Sequence, residues 1–169
     1  MTREIQNGII AGGIMAAWMT WLFLMKQETA GLGLLDPYVC IIIPAVFIYI
    51  TILHKRDKDL NGSLSLKEGF LAGIVTAFMA GLMIGAFKMI YVKYINPGII
   101  EDVVKQAQSF YRTAGGTAEQ MKNAEDSARA MYSPFGQFTY GIGITMLLGG
   151  LISLLCSAIM HRKKAVSTI

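Results

Sequence analysis

The sequence predicts an all-α protein, a four-helix transmembrane bundle with an extracytoplasmic amphipathic helical hairpin between the third and fourth spans. Three observations predict it. Apolar residues gather in four long blocks, small residues recur at every fourth position in three of them, and the stretch before the last block shows apolar stripes at helical spacing. Across 169 residues the apolar content is 54% and the charged content 15%, with a mean hydropathy of +0.50, outside the range of a soluble domain. Residues 1–169 are therefore read as one integral membrane domain.

A bilayer core about 30 Å thick requires about 20 helical residues. The first span is placed at 7–26; without a basic leader and small-residue cleavage site it is expected to be a retained anchor. The second, 37–53, opens at Asp36-Pro37 and is short, with 16 residues after Pro37 and with Pro44 inside. It is expected either to start earlier, near Leu32, or to cross a thinned bilayer. The third, 66–95, opens on the capping box Ser65…Glu68, and the fourth, 134–160, opens at Ser133-Pro134. The hairpin occupies 96–133: Asn96-Pro97 starts one helix, Gly115-Gly116 ends it, and Thr117 with Gln120 caps a second reaching Tyr132. Ile99, Ile100, Val103, Val104, Ala107, Phe110 and Tyr111, then Met121, Ala124, Ala128 and Met131, form its apolar stripes.

The small residues form rows. Gly69, Gly73, Ala77, Gly81 and Gly85 lie along one face of the third span, Gly141, Thr145, Gly149, Ser153 and Ser157 along the fourth, and Gly8, Gly12, Ala16 and Thr20 along the first. In lipid, apolar burial does not drive helices together, and small residues let two backbones approach closely. Gly8, Gly12, Gly69, Gly73, Gly81, Gly85, Gly141, Gly149 and Ser153 are the expected helix-packing residues. Either all rows close within the chain, or one faces a partner chain.

Eight Lys or Arg lie in the N-terminus, the second inter-span loop and the tail (Arg3, Lys55, Arg56, Lys58, Lys67, Arg162, Lys163, Lys164), against five in the alternate segments. The positive-inside tendency then puts both termini in the cytoplasm. The formal charge of +4 is read as anchoring on anionic lipid, not nucleic-acid binding.

Asn7-Gly8-Ile9-Ile10-Ala11-Gly12 is similar to Glu68-Gly69-Phe70-Leu71-Ala72-Gly73, and Leu53-His54-Lys55-Arg56 to Met160-His161-Arg162-Lys163. Two copied hairpins are one reading, chance similarity of glycine-rich helices the other. In copies, Pro44 and Gly149-Gly150 would lie at matching depths as weak points where a site is built.

Chemistry-bearing residues are sparse. His54 and His161 sit beside Lys and Arg at the expected inner interface, Cys40 and Cys156 fall at opposite ends of their helices, and no nucleophile or metal-ligand spacing is present. No catalytic residue, metal or cofactor is expected, and the chain is not expected to be an enzyme. Thr20, Thr51, Thr76, Thr145, Ser153 and Ser157 are read as packing hydroxyls, with no acid or Arg at mid-span. Lys88 lies about 30 Å along the helix from Glu68 and is expected to snorkel with Lys93, beside an aromatic belt of Tyr91, Tyr94, Trp18, Trp21 and Phe23. Lys26, Lys88 and Lys93 are the candidate contacts for an anionic head group.

Leu64-Ser65-Leu66-Lys67-Glu68-Gly69-Phe70, Tyr94-Ile95-Asn96-Pro97, Ser133-Pro134 and the run Gly149-Gly150-Leu151-Ile152-Ser153-Leu154 together resemble domain-of-unknown-function family 4199 over nearly the whole length. The resemblance implies a small four-span inner-membrane protein of Gram-negative bacteria and brings no catalytic residues with it. The expected function is non-enzymatic, acting by helix association as a homo-oligomer or as an accessory subunit of a larger membrane complex in contact with membrane lipid. The alternative is a small carrier or flippase for an anionic or lipid-linked amphiphile.

Overall fold

The computed structural model describes residues 1–27 and 31–161, so Arg162, Lys163 and Lys164 of the basic tail lie outside the described residues. The chain runs α1 (Arg3–Leu24), a 3₁₀ turn (Gly31–Leu35), α2 (Asp36–His54), a π-helical turn (Lys55–Asp59), α3 (Leu66–Ile90), a second π-helical turn (Tyr91–Ile95), α4 (Ile99–Thr113), α5 (Ala118–Met131) and α6 (Pro134–Met160). Among the described residues there is no strand, and four helices are long and apolar enough to cross a membrane. The protein is an all-α, multi-pass membrane protein.

The second span needs no thinned bilayer. Its helical stretch continues from Asp36 through the π-helical turn to Asp59, 24 residues, and the 3₁₀ turn leads into it from Gly31. Pro44 is buried and α2 passes through it without interruption, as α6 passes through Gly149-Gly150. Neither helix is broken at the positions that would be weak points in copied hairpins, and spanning helices tolerate Pro and Gly when neighbouring groups satisfy the freed backbone.

Two of the helix starts differ from the sequence reading. Asp36 is not a capping residue; it is the first residue of α2, its carboxylate accepts from the indole of Trp18 (Nε1 to Oδ1, 3.1 Å), and Leu35 precedes it without a side-chain cap. Asn96 does not start α4 either. Its backbone N–H still closes the π-helical turn on Tyr91 O (2.8 Å), and the helix begins at Ile99 after Gly98. The other caps form as read. Ser65 N–H donates to Glu68 Oε2 (2.9 Å) while Glu68 N–H donates to Ser65 Oγ (3.2 Å), Thr117 and Gln120 close the same reciprocal box, and Ser133 Oγ accepts from Gly136 N–H at 3.0 Å.

The chain divides into two compact units, one made of Met1–Ile84 with the chain from Ile142 onward, the other of Gly85–Gly141. In the first, Ile48, Ile52, Leu64, Ala77 and Met160 form the core, so residues of α2, α3, α6 and the loop before α3 share one interior. In the second, Tyr91, Val92, Val104 and Gln137 are buried. Tyr91 is wholly buried, which removes it from the expected aromatic belt, whereas Tyr94 is 69% exposed. The amide of Asn96 reaches the Tyr91 hydroxyl (Nδ2 to Oη, 3.5 Å), a partner for a phenol held away from water.

Within that second unit α4 and α5 form the expected hairpin. Gly115 adopts φ +72°, a left-handed residue that ends α4, and Gly116 N–H closes on Tyr111 O at 2.7 Å. Gln108 Nε2 donates to Glu125 Oε2 (2.9 Å) across the pair, and Arg129 bridges Glu101 (Nη1 2.6 Å, Nη2 3.2 Å) and Glu125 (Nε 2.9 Å).

Candidate functional site

Every glycine named from the rows of the first unit is used inside the chain. A Cβ at Gly8 would lie 2.6 Å from Thr76 O and 2.5 Å from Met79 Cβ, and one at Gly12 would lie 2.9 Å from Ala80 O and 2.5 Å from Met83 Cβ. These two residues let α1 lie directly on the backbone of α3. On another face of α3, a Cβ at Gly69 would meet Ser157 Oγ at 2.6 Å, one at Gly73 would meet Ser153 Cβ at 2.7 Å, and one at Gly81 would meet Ile142 Cα and Thr145 Cβ at 3.2 Å. Gly149 of α6 returns the contact against Ala77 and lies 3.3 Å from Ile48 Cδ1 of α2. Gly85 and Gly141 are buried in the second unit.

Ser153 is wholly buried, and its Oγ donates to Gly149 O (2.6 Å); Ser157 Oγ donates to Ser153 O (2.6 Å) and Thr20 Oγ1 to Ala16 O (2.8 Å). These hydroxyls bond back to their own helices, as their spacing predicts. Thr51 does more. It donates to Phe47 O (2.7 Å), accepts from Asn7 Nδ2 of α1 (2.8 Å), and lies 3.2 Å from Thr76 Oγ1 of α3, which also reaches Ala72 O at 3.0 Å. A polar thread thus joins three helices, and Thr51 and Thr76 are at most 1% exposed. Sequence reasoning gave Asn7 no role; its amide at the entry of a span, a residue type that bonds between helices, was the available signal.

The sequence also did not reveal the ties at the ends of helices in this unit. Lys55 Nζ donates to Glu4 Oε1 (2.9 Å) and lies 3.6 Å from Asp59, linking the start of α1 to the end of α2. His161 Nδ1 donates to Leu64 O (2.9 Å), since a carbonyl can only accept, and links the end of α6 to the approach of α3. Trp18 stacks against Trp21 (centroids 5.2 Å apart) as well as donating to Asp36, so it ties α1 to α2.

The three candidate lysines divide between the two units. Lys26 follows α1 in the first unit, in a left-handed conformation (φ 55°). Lys88 and Lys93 belong to the second, where Lys88 Nζ lies 5.4 Å from the centroid of the Tyr140 ring and Lys93 Nζ lies 5.1 Å from that of Tyr94. Among the described residues neither has a carboxylate partner, and no group of three or more His, Cys, Asp or Glu is placed to hold a metal ion. Cys40 Sγ donates to Asp36 Oδ1 (3.7 Å), one turn earlier in α2.

Outside the spans, the hydrogen bond from Arg129 outweighs partial desolvation and, with the positive charges of Arg129 and Lys105, holds the Glu101 carboxyl below its ordinary range. A lowered folded pKa contributes stability that is present above the unfolded carboxylate range and lost as pH falls through the folded value. Spin labels on α4 and α5 are expected to show a broadened separation as the pH drops from neutral to below the ordinary carboxylate range. The change is expected to be small, because both groups are solvated, and absent in Arg129→Gln.

Neither the curated proteins nor the solved structures give a match. The family comparison does, over the four spans, the seams between them and the hairpin: the model of the family described as "Protein of unknown function (DUF4199)" matches residues 6–162, and the chain belongs to that family.

Proposed function

We propose that the protein is a non-enzymatic, multi-pass protein of the bacterial inner membrane that acts by associating with other membrane helices, as an oligomer or as an accessory subunit. In this reading both termini are cytoplasmic and the α4–α5 hairpin is extracytoplasmic. The excess of Lys and Arg in the segments assigned to the inside supports that orientation. So do the Glu4–Lys55 and Leu64–His161 ties, each of which joins two segments assigned to the cytoplasmic side.

One observation carries the association reading. The glycine rows that first suggested it are consumed within the chain, but Gly13 is not: a Cβ there meets nothing within 4 Å, and Gly13 and Ala17 are exposed one turn apart on a face of α1 that also shows Ile10, Ile14 and Trp21. A small-residue pair left open on a span lets a second helix approach closely. Less supports the carrier alternative, since α2 and α6 are unbroken at Pro44 and Gly149-Gly150 and Lys88 and Lys93 lie over different rings.

Cross-linking and native mass measurement in mild detergent test the reading. The unaltered protein is expected to run as an assembly, and Gly13→Leu to weaken it about tenfold, or roughly 1.4 kcal/mol, with the folded chain unchanged because the new side chain has space. A monomer with no co-purifying chain across several detergents would overturn it.

A further inference from the structure

In the second unit one ammonium lies over an aromatic ring of another helix. Lys88, in the last turn of α3, is half-buried, and its ammonium sits over the Tyr140 ring of α6 with no carboxylate within ion-pair distance among the described residues. From these facts we infer that the Lys88–Tyr140 pair is a seat for the phosphate of an anionic phospholipid. A ring face engages one side of the ammonium and supplies no negative charge, so N–H donors remain for anionic oxygens. Near the end of a span, the anion at hand is a lipid head group.

The geometry separates this lysine from the other two. Lys88 and Tyr140 come from different helices, so the pair is built where α3 and α6 meet within one unit, and Tyr140 is 42% exposed and reachable from lipid. Lys93 is exposed and lies over Tyr94, its own neighbour in sequence, which is the arrangement of a side chain merely reaching for water. The inference is independent of the association reading, which rests on Gly13 in the other unit.

The test counts lipids retained by the full-length protein in native mass spectra, with phosphatidylglycerol or phosphatidylcholine added. Preferential retention of phosphatidylglycerol is expected. Lys88→Gln should weaken it about fivefold, the fold-change for about 1 kcal/mol per basic residue, while Lys88→Arg and Lys93→Gln leave it in place. Tyr140→Leu keeps the charge and removes the ring, and is expected to weaken retention about threefold. Equal retention of the two lipids, no change in Lys88→Gln, or equal losses in Lys88→Gln and Lys93→Gln would each overturn the seat. Displacement of phosphatidylglycerol by inorganic phosphate would overturn the lipid assignment in favour of a free anion.

Discussion

Gly8→Ala is expected to destabilise the protein, and Gly13→Ala, five residues further along the same helix, is not. Alanine is the better helix former by about 1 kcal/mol, so without tertiary contacts both changes would be favourable. At Gly8 the new methyl would lie 2.6 Å from Thr76 O and 2.5 Å from Met79 Cβ, and neither atom is the free end of a flexible side chain. Separating α1 from α3 to admit it costs about 3 kcal/mol on the scale of overpacked interiors, which exceeds the propensity gain. At Gly13 nothing lies within 4 Å, and only the gain remains. Thermal melting in mild detergent checks the pair: a lower Tm for Gly8→Ala beside an unchanged or higher one for Gly13→Ala. Equal tolerance at both positions would mean that α1 does not lie on α3 through this seam.

Thr51→Val is expected to cost about 1–2 kcal/mol, the upper part of the range for hydrogen bonds between membrane helices. The shape is nearly kept; the hydroxyl is not. Asn7 then loses the acceptor of its 2.8 Å bond, while Thr76 retains Ala72 O as its partner. The penalty therefore falls on an amide left without its partner. That predicts a recovery: Asn7→Leu combined with Thr51→Val should be less destabilised than the sum of the two single changes, because removing both polar groups leaves neither unsatisfied. An additive double mutant would show that Asn7 and Thr51 are not energetically coupled. Thr51→Ser, which keeps the hydroxyl, serves as the conservative control.

Most of the fold was legible because the membrane restricts the possibilities. Backbone polar groups in hydrocarbon must be satisfied within a helix or a closed barrel, so long apolar blocks with capping signals give spans directly. Ser65 with Glu68, Thr117 with Gln120, and Ser133 marked helix starts through local hydrogen bonds that depend on sequence neighbours alone. Asp36 and Asn96 misled for the same reason inverted: each has a good local capping side chain, but Trp18 and Tyr91, distant or already helical, hold it instead. Pro44 and Gly149-Gly150 carried a local breaking tendency that the surrounding helices override.

The candidate sites were less legible. A row of small residues says that a backbone can come close and not which one: Gly8 and Gly12 take α3, Gly69, Gly73 and Gly81 take α6, and Gly13 is left open. Lysines counted by depth looked like a group, yet Lys88 lies over a ring on another helix and Lys93 over its own neighbour.

By itself, the sequence determined that this chain has four apolar helices and an amphipathic pair, because hydropathy, spacing and caps act within a few residues. Only the tertiary structure decided which seams close, that Asn7, Thr51 and Thr76 meet across three helices, and that Lys88 rests on Tyr140. Those outcomes depend on how each helix is rotated about its axis. Rotation is settled by side chains far apart in the chain packing together, which no local pattern encodes.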